Sequence, residues 1–190
     1  HIECSTMNKK AFGDRIDIHG GGRDLIFPHH ENEIAQTEAL TGKPFANFWV
    51  HNGLIKVNGQ KMSKSLGNSL FLKDLLDRYS PETVKFALLS TNYRADINVT
   101  DNLFPDAEKH LVEFYQTILS AAQKGIEIAG ENPGIDKEFD SAMDNDFNTA
   151  LALSELFAYF KKIKALVASK DPVAGNMLSQ IKKTYSLLGL

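Results

Sequence analysis

Apolar and polar residues alternate over short runs in the first part of the chain and recur every three to four residues in the second. The alternating runs predict strands over 15–19, 48–51 and 54–57. The first of these strands runs directly into the glycine triplet at 20–22. Asn58-Gly59 predicts a tight turn after the third strand, because this dipeptide favours the positive φ angles that such turns need.

Helices are indicated on both sides of these strands. Apolar spacing and the stop and start residues Gly13, Gly42 and Ser80 predict helices over 2–12, 29–40, 72–79, 81–89, 105–122 and 173–188, and a further helix that follows Asn145-Asp146 and reaches 167. The fold class that follows is α/β for residues 1–100 and an α-helical bundle for residues 101–190. No internal repeat is present.

Composition narrows the class of protein. The chain has 190 residues, 43% of them hydrophobic and 24% charged, as in ordinary globular proteins. No apolar run approaches the roughly 18 residues that span a membrane, so we expect a cytoplasmic protein with no membrane partner. Cys4 is the single cysteine and excludes an internal disulfide. Because the chain starts without Met and directly in a helical pattern, we expect a fragment of a longer protein.

Charge is distributed unevenly. Residues 1–100 carry 12 Lys+Arg and 11 Asp+Glu, a net +1, whereas residues 101–190 carry 9 and 13, a net −4. A protein that binds nucleic acid by neutralising phosphates has a large basic excess. Any nucleic-acid contact must therefore be local.

Cys4, His29 and Glu33 form a candidate metal site. The histidine and the glutamate are four residues apart on one predicted helix, so both project from the same face. Zinc accepts thiolate, imidazole and carboxylate ligands. His30, three residues from Glu33, is a rival ligand. Alternatively, the cysteine is a small buried hydrophobe and the pair an ordinary surface pair. A two-histidine protease helix is excluded, because Ile34 stands where it needs a second histidine.

Two further segments could contact a nucleotide. In the segment from His19 to Asp24, the glycines would let the backbone approach a nucleotide and the carboxylate of Asp24 could accept from ribose hydroxyls. The spacing differs from G-x-G-x-x-G, so a nicotinamide cofactor is not expected, and the triplet could equally be a plain loop. In the segment Lys61-Met62-Ser63-Lys64-Ser65, two lysines and two hydroxyls suit a triphosphate, or an ordinary solvated loop.

These segments together resemble a known family. Residues 61–65 match the K-M-S-K-S loop of class I aminoacyl-tRNA synthetases. The segments H-I-E-C-S at 1–5, D-I-H-G-G-G at 17–22 and D-L-I-F-P-H-H-E-N-E at 24–33 are similar to cysteinyl-tRNA synthetases in particular, and A-M-D-N-D-F-N-T at 142–149 resembles the start of their helical domain. The implied fold is the C-terminal half of a Rossmann-like catalytic domain, followed by a helical bundle of the anticodon-binding type.

The resemblance also implies roles for residues. Zinc, which receives the thiolate of substrate cysteine, is held by Cys4, His29 and Glu33. His19 faces the amino acid and adenylate, and Gly22 and Asp24 lie by the adenosine. The phosphate-binding loop contributes Lys61, Ser63, Lys64 and Ser65, with Lys64 as the main ATP contact.

The implied reaction joins cysteine to ATP, accompanied by magnesium, to give cysteinyl-adenylate, and then transfers cysteine to tRNA. The family's H-I-G-H sequence and second zinc-binding cysteine do not occur in these 190 residues. We therefore expect the isolated chain to be inactive and its parent to be a monomeric cysteine–tRNA ligase. Two alternatives stay open: a ligase that joins cysteine to an amino sugar, and a non-catalytic zinc-binding or tRNA-binding remnant.

Overall fold

Two parallel strands connected by a helix form the first part of the chain in the computed structural model, which describes residues 1–63, 67–130 and 133–190. The elements are α1 (Ile2–Phe12), β1 (Ile16–Gly22), α2 (Glu31–Thr41) and β2 (Ala46–Asn52). A 3₁₀ turn at Arg23–Leu25 and a wide turn at Ile26–His30 lead from β1 into α2. The strands pair from Ile16 with Ala46 to Gly22 with Asn52. This β-α-β arrangement places the end of β1 close to the start of α2.

Three short strands form a second small sheet, in the order β4-β3-β5. They are β3 (Ile55–Val57), β4 (Gln60–Lys61) and β5 (Ile97–Val99). Asn58 and Gly59 have φ angles of 48° and 82°, which confirms the predicted tight turn between β3 and β4. Lys61 pairs with Lys56 across this hairpin, so the hairpin sets where the following loop begins.

The remaining elements are helices: α3 (Leu72–Leu76), α4 (Pro81–Leu89), α5 (Leu103–Gln123), α6 (Asp136–Asp144), α7 (Thr149–Ala168) and α8 (Val173–Leu187). The side chains of Ser80 and Asn148 accept hydrogen bonds from the first turns of α4 and α7. The apolar faces of α4, α5, α7 and α8 bury residues such as Phe86, Phe114, Leu156, Ile163 and Ile181. None of the described helices is both long and apolar enough to cross a membrane.

Contacts divide the chain into two compact units. The first unit contains residues 1–55 and 93–97, and the second contains residues 56–92 and 98–190.

Some elements differ from the sequence pattern. β1 continues through all three glycines, because β2 supplies a hydrogen-bonding partner up to Asn52. α2 begins at Glu31 rather than at 29, since Phe27 precedes a proline and is extended (φ −133°, ψ 133°). The strand β5 and the helix α6 are additional to the predicted elements. β5 has only three residues, too few for a period-two pattern to stand out.

Candidate functional site

Glu33 lies at the centre of a histidine cluster in the first unit. Its side chain is 1% exposed although it carries a carboxylate. Nε2 of His19 on β1 donates to Oε2 of Glu33 at 2.9 Å, and Nε2 of His29 lies 3.7 Å from the same oxygen. The other oxygen, Oε1, has no hydrogen-bond partner among the described residues. A buried carboxylate oxygen without a donor is costly, unless a further ligand satisfies it.

Cys4 completes a set of metal-ligating atoms. The cysteine Sγ, a ring nitrogen of His29 and a carboxylate oxygen of Glu33 all lie within 4.8 Å of one another. Donor atoms of a tetrahedral zinc site lie roughly 3.3–3.8 Å apart, so small side-chain rotations would bring these three around one ion. Thiolate, imidazole and carboxylate are the donors that zinc accepts. The residues therefore fit zinc, for which they would provide three ligands.

A contact with His1 orients the ring of His29. Its Nδ1 lies 2.8 Å from Nδ1 of His1, and the two rings meet edge to face. Histidines that bind metals commonly use one nitrogen for the metal and the other for a hydrogen bond that fixes the ring. The contact with His1 leaves Nε2 of His29 directed towards Glu33.

His30 belongs to a second group of three. His19, His30 and Glu33 also place one ligand atom each within 4.8 Å. Nδ1 of His30 lies 2.8 Å from Nε2 of His51, and its ring lies against Trp49. Burial lowers the pKa of His30, and neighbouring His19 lowers it further. His30 is thus kept neutral near neutral pH and remains a possible ligand, as the sequence suggests.

The glycine triplet lies close to other side chains. A Cβ on Gly21 would lie 2.9 Å from Cε1 of His30, and a Cβ on Gly22 would lie 2.5 Å from Oδ1 of Asp24. The ring of His30 is buried and has no space to move aside, whereas Asp24 is exposed and its carboxylate can rotate away. Gly21 therefore lets His30 approach β1, and Gly22 lets the carboxylate of Asp24 fold back on the strand end.

The described part of the segment 61–65, which the sequence predicts to contact phosphates, lies in the second unit. Lys61 ends β4, and the backbone N–H of Ser63 donates to Oδ1 of Asn68 at 2.9 Å. Nδ2 of Asn68 donates to the carbonyl oxygen of Lys61 at 3.3 Å. Lys64 and Ser65, which the sequence singles out for ATP contacts, lie outside the described residues.

Sequence reasoning missed some members of these groups. It assigned no role to His1, Trp49, His51 or Asn68. One signal was present in the sequence: five of the six histidines fall within the first 51 residues. The β1–β2 pairing that brings Trp49 beside His19 depends on strand register, which spacing along the chain does not reveal.

Known families match most of the chain. Residues 1–109 match the family described as tRNA synthetases class I (C) catalytic domain, and residues 138–190 match the DALR domain. The chain belongs to the class I (C) tRNA synthetase family. This membership confirms the predicted fold class, an α/β catalytic region followed by a helical domain.

Curated relatives align with all or nearly all of the chain. A cysteine–tRNA ligase of Pseudomonas paraeruginosa is 44% identical over 190 residues, covering all of this chain and 41% of the relative. One of Geotalea daltonii is 41% identical over 217 aligned residues, covering all of this chain and 44% of the relative. One of Thermodesulfovibrio yellowstonii is 47% identical, covering 90% of this chain and 37% of the relative. The chain therefore spans about two-fifths of the length of these relatives.

Solved structures show the same fold. A LeuRS of Agrobacterium radiobacter K84, in a ternary complex with tRNA and LeuAMS, matches with a TM-score of 0.65 at 19% identity, covering 86% of this chain and 25% of that one. Mycobacterium tuberculosis methionyl-tRNA synthetase, in complex with methionyl-adenylate, matches with a TM-score of 0.59 at 17% identity, covering 86% and 39%. At identities below 20%, these matches show a likeness of fold alone.

Proposed function

We propose that the protein containing this chain attaches cysteine to tRNA in an ATP-dependent reaction through a cysteinyl-adenylate. The observation that carries the proposal is the convergence of Cys4, His29 and Glu33 within 4.8 Å, around a buried carboxylate with an unpartnered oxygen. The class I (C) family match and relatives named cysteine–tRNA ligase support the same reaction.

Zinc is the proposed resident metal, held by Cys4, His29 and Glu33. When bound, it would supply a site that takes a thiolate in preference to a hydroxyl, so that cysteine is accepted and serine rejected without an editing step. The chain's own residues prepare this site. His1 fixes the ring of His29, and His19 holds one oxygen of Glu33 through its Nε2–H.

The glycine end of β1 is the proposed nucleotide side of the first unit. His19 faces the amino acid and adenylate, while Gly22 and Asp24 contact the adenosine. One feature supports these roles: Asp24 is exposed, so that its carboxylate can accept from ribose hydroxyls.

The second unit is proposed to contribute the phosphate contacts. Lys61 and Lys64 would stabilise the charge that develops as pyrophosphate leaves, with Ser63 and Ser65 as hydrogen-bond donors and magnesium accompanying ATP. Such chemistry depends on positioning and electrostatic stabilisation, and it needs no protein nucleophile. We further propose that this occurs in the cytoplasm and that the complete protein acts as a monomer.

Two assays on the full-length protein test this function. We expect cysteine-dependent exchange of pyrophosphate into ATP, and transfer of labelled cysteine to cysteine-specific tRNA. Cys4→Ser should weaken cysteine and zinc binding, while Thr6→Ala, at an exposed position on the same helix α1, should change both much less. The isolated 190-residue chain should not support exchange, because it lacks an H-I-G-H sequence and a second cysteine.

Each other outcome has a defined meaning. Exchange without charging of tRNA would contradict the proposal and favour the ligase that joins cysteine to an amino sugar. Zinc binding with neither exchange nor charging would favour the non-catalytic remnant. Exchange by the isolated chain would contradict the assignment of an incomplete active site.

A further inference from the structure

Among the described residues, three hydrogen bonds cross the base of the segment 61–70 in the second unit. Asn68 makes two of them, accepting from the Ser63 N–H at 2.9 Å and donating to the Lys61 carbonyl oxygen at 3.3 Å. The third is donated by the Leu70 N–H to Sδ of Met62, at 3.3 Å. These residues, Lys61, Met62, Ser63, Asn68 and Leu70, are here called the loop clasp.

Asn68 uses both ends of its amide for the clasp. A backbone N–H and a backbone C=O two residues apart would otherwise need separate partners. A single side chain that satisfies both fixes the backbone of residues 61–63 relative to the chain after the loop. Asparagine suits this task because its amide carries an acceptor and donors on one short, stiff side chain.

The clasp continues an ordered hairpin. Lys61 is paired with Lys56 across β3 and β4, and the turn of that hairpin is held by a separate asparagine. Oδ1 of Asn98 accepts from the Gly59 N–H at 2.8 Å. The backbone leading to Lys61 is therefore held at two places by the same chemistry: at the turn by Asn98 and at the loop base by Asn68.

We propose that Asn68 is a positioning residue for adenylate formation, acting through the backbone of Lys61 and Ser63. This inference rests on the proposed function, in which those two residues contact the ATP phosphates. Asn68 itself contacts backbone atoms of the loop rather than the substrate. Its contribution is to hold the backbone of Lys61 and Ser63 so that their side chains lie where charge develops as pyrophosphate departs.

A kinetic signature follows from this role. Loss of alignment at the reacting phosphates lowers the rate of the chemical step, and displacement by about 1 Å can cost on the order of 100-fold. Cysteine binding depends on the proposed zinc ligands of the first unit, so the substitution should leave it unaffected. We therefore expect Asn68→Ala to lower kcat for cysteine-dependent pyrophosphate exchange about tenfold or more, with an unchanged KM for cysteine.

Asn98→Ala in the full-length protein is the matched control. It removes an asparagine-to-backbone hydrogen bond of similar length from the same hairpin, but away from the loop. We expect it to lower kcat less than about threefold, in keeping with a surface substitution. Asn68→Ser retains a short side chain that can hydrogen-bond to nearby backbone, and should recover part of the lost rate.

The results distinguish failure of this inference from failure of the proposed function on which it rests. If the unsubstituted protein shows no cysteine-dependent exchange, the proposed function fails and the role of Asn68 fails with it. If exchange is present but Asn68→Ala behaves like Asn98→Ala, only the positioning role is overturned. A rise in the KM for cysteine that matches the fall in kcat would also overturn it, because general damage to the fold would then explain the loss.

Discussion

The two units of this chain bury very different kinds of side chain. In the first unit the buried residues are Ser5, Ile16, His30, Glu33, Thr37 and Phe45, of which four are polar or charged. The second unit buries a continuous set of large apolar side chains from α4, α5, α7 and α8. Apolar burial stabilises a fold by about 25 cal/mol per Å², so the second unit holds most of the stability.

The difference in buried side chains follows from how far the sheet of the first unit and the helices of the second unit are covered by neighbouring elements. The parallel strands β1 and β2 leave Ile18 and Phe48, which are paired in register, 65% and 68% exposed. Parallel sheets are usually covered on both faces. The first unit buries few residues, and members of the histidine cluster are among them. The helices of the second unit bury one another's apolar faces.

This comparison can be tested with two probes in the isolated chain. Trp49 is the only tryptophan and lies in the first unit, while the longest helices, α5 and α7, lie in the second. In urea we expect Trp49 fluorescence to change at a lower concentration than helical circular dichroism. Coincident transitions would show a single cooperative body and contradict the comparison.

The largest expected effect is in the helical core. Leu156 on α7 is fully buried. Leu156→Ala should lower the free energy of unfolding measured by circular dichroism by about 2–5 kcal/mol, since it removes apolar contacts and leaves a cavity. Leu119→Ala, at an exposed position on α5, is the control and should change it by less than about 0.5 kcal/mol. A large shift of the Trp49 transition by Leu156→Ala would show that the units are coupled.

A second effect should be confined to the first unit. Zinc binding to Cys4, His29 and Glu33 should raise the urea midpoint of the Trp49 transition and leave the helical transition unchanged. At a free zinc concentration a hundredfold above Kd the stabilisation is about 2.7 kcal/mol, less any binding to the unfolded chain. Glu33→Gln should abolish the shift, while Glu38→Gln, one turn beyond the site on α2, should retain it. An equal shift in Glu33→Gln would contradict the proposed ligand set.

How far the sequence predicts this molecule also differs between the two units. Helices such as α5 and α7 are predicted within a few residues, because their apolar stripes repeat over five turns. Cys4, His29 and Glu33 are singled out by donor chemistry and spacing, and the structure places them together. Contacts such as His30 with His51, or Asn68 with Ser63, depend on register and loop path. Those are tertiary properties, and no local pattern encodes them.

A smaller effect concerns pH and the second unit. His110 on α5 is packed between Phe86 and Phe157, lies 3.4 Å from the Tyr185 hydroxyl, and faces the Glu113–Lys164 ion pair. Burial lowers the pKa of His110; Glu113 opposes this shift and Lys164 adds to it. Because the folded state resists protonation, its contribution to stability is complete above about pH 6.5 and declines as the pH falls below that value.

His110→Gln should therefore flatten the pH dependence of the helical transition as the pH falls below about 6.5. A single group accounts for at most about 1.4 kcal/mol per pH unit. The Trp49 transition is the internal control, because His110 lies outside the first unit. An unchanged slope for the helical transition in His110→Gln would show that His110 is not the titrating group.

The smallest effect is expected for a surface ion cluster of the first unit. Lys9 and Lys43 contact the two carboxylate oxygens of Asp14 at 2.6 and 2.9 Å. Their hydrogen bonds, with Lys9 contributing most, lower the pKa of Asp14 to about 2. The resulting stabilisation is present above about pH 4 and is lost as the pH falls towards 2. Because the cluster is exposed, salt should screen it.

Asp14→Asn should slightly lower the Trp49 midpoint at neutral pH and low salt, and the difference from the unsubstituted chain should vanish in 1 M salt. A difference that persists in high salt would mean that Asp14 acts through packing, and the first unit would then depend less on polar contacts than its buried residues indicate.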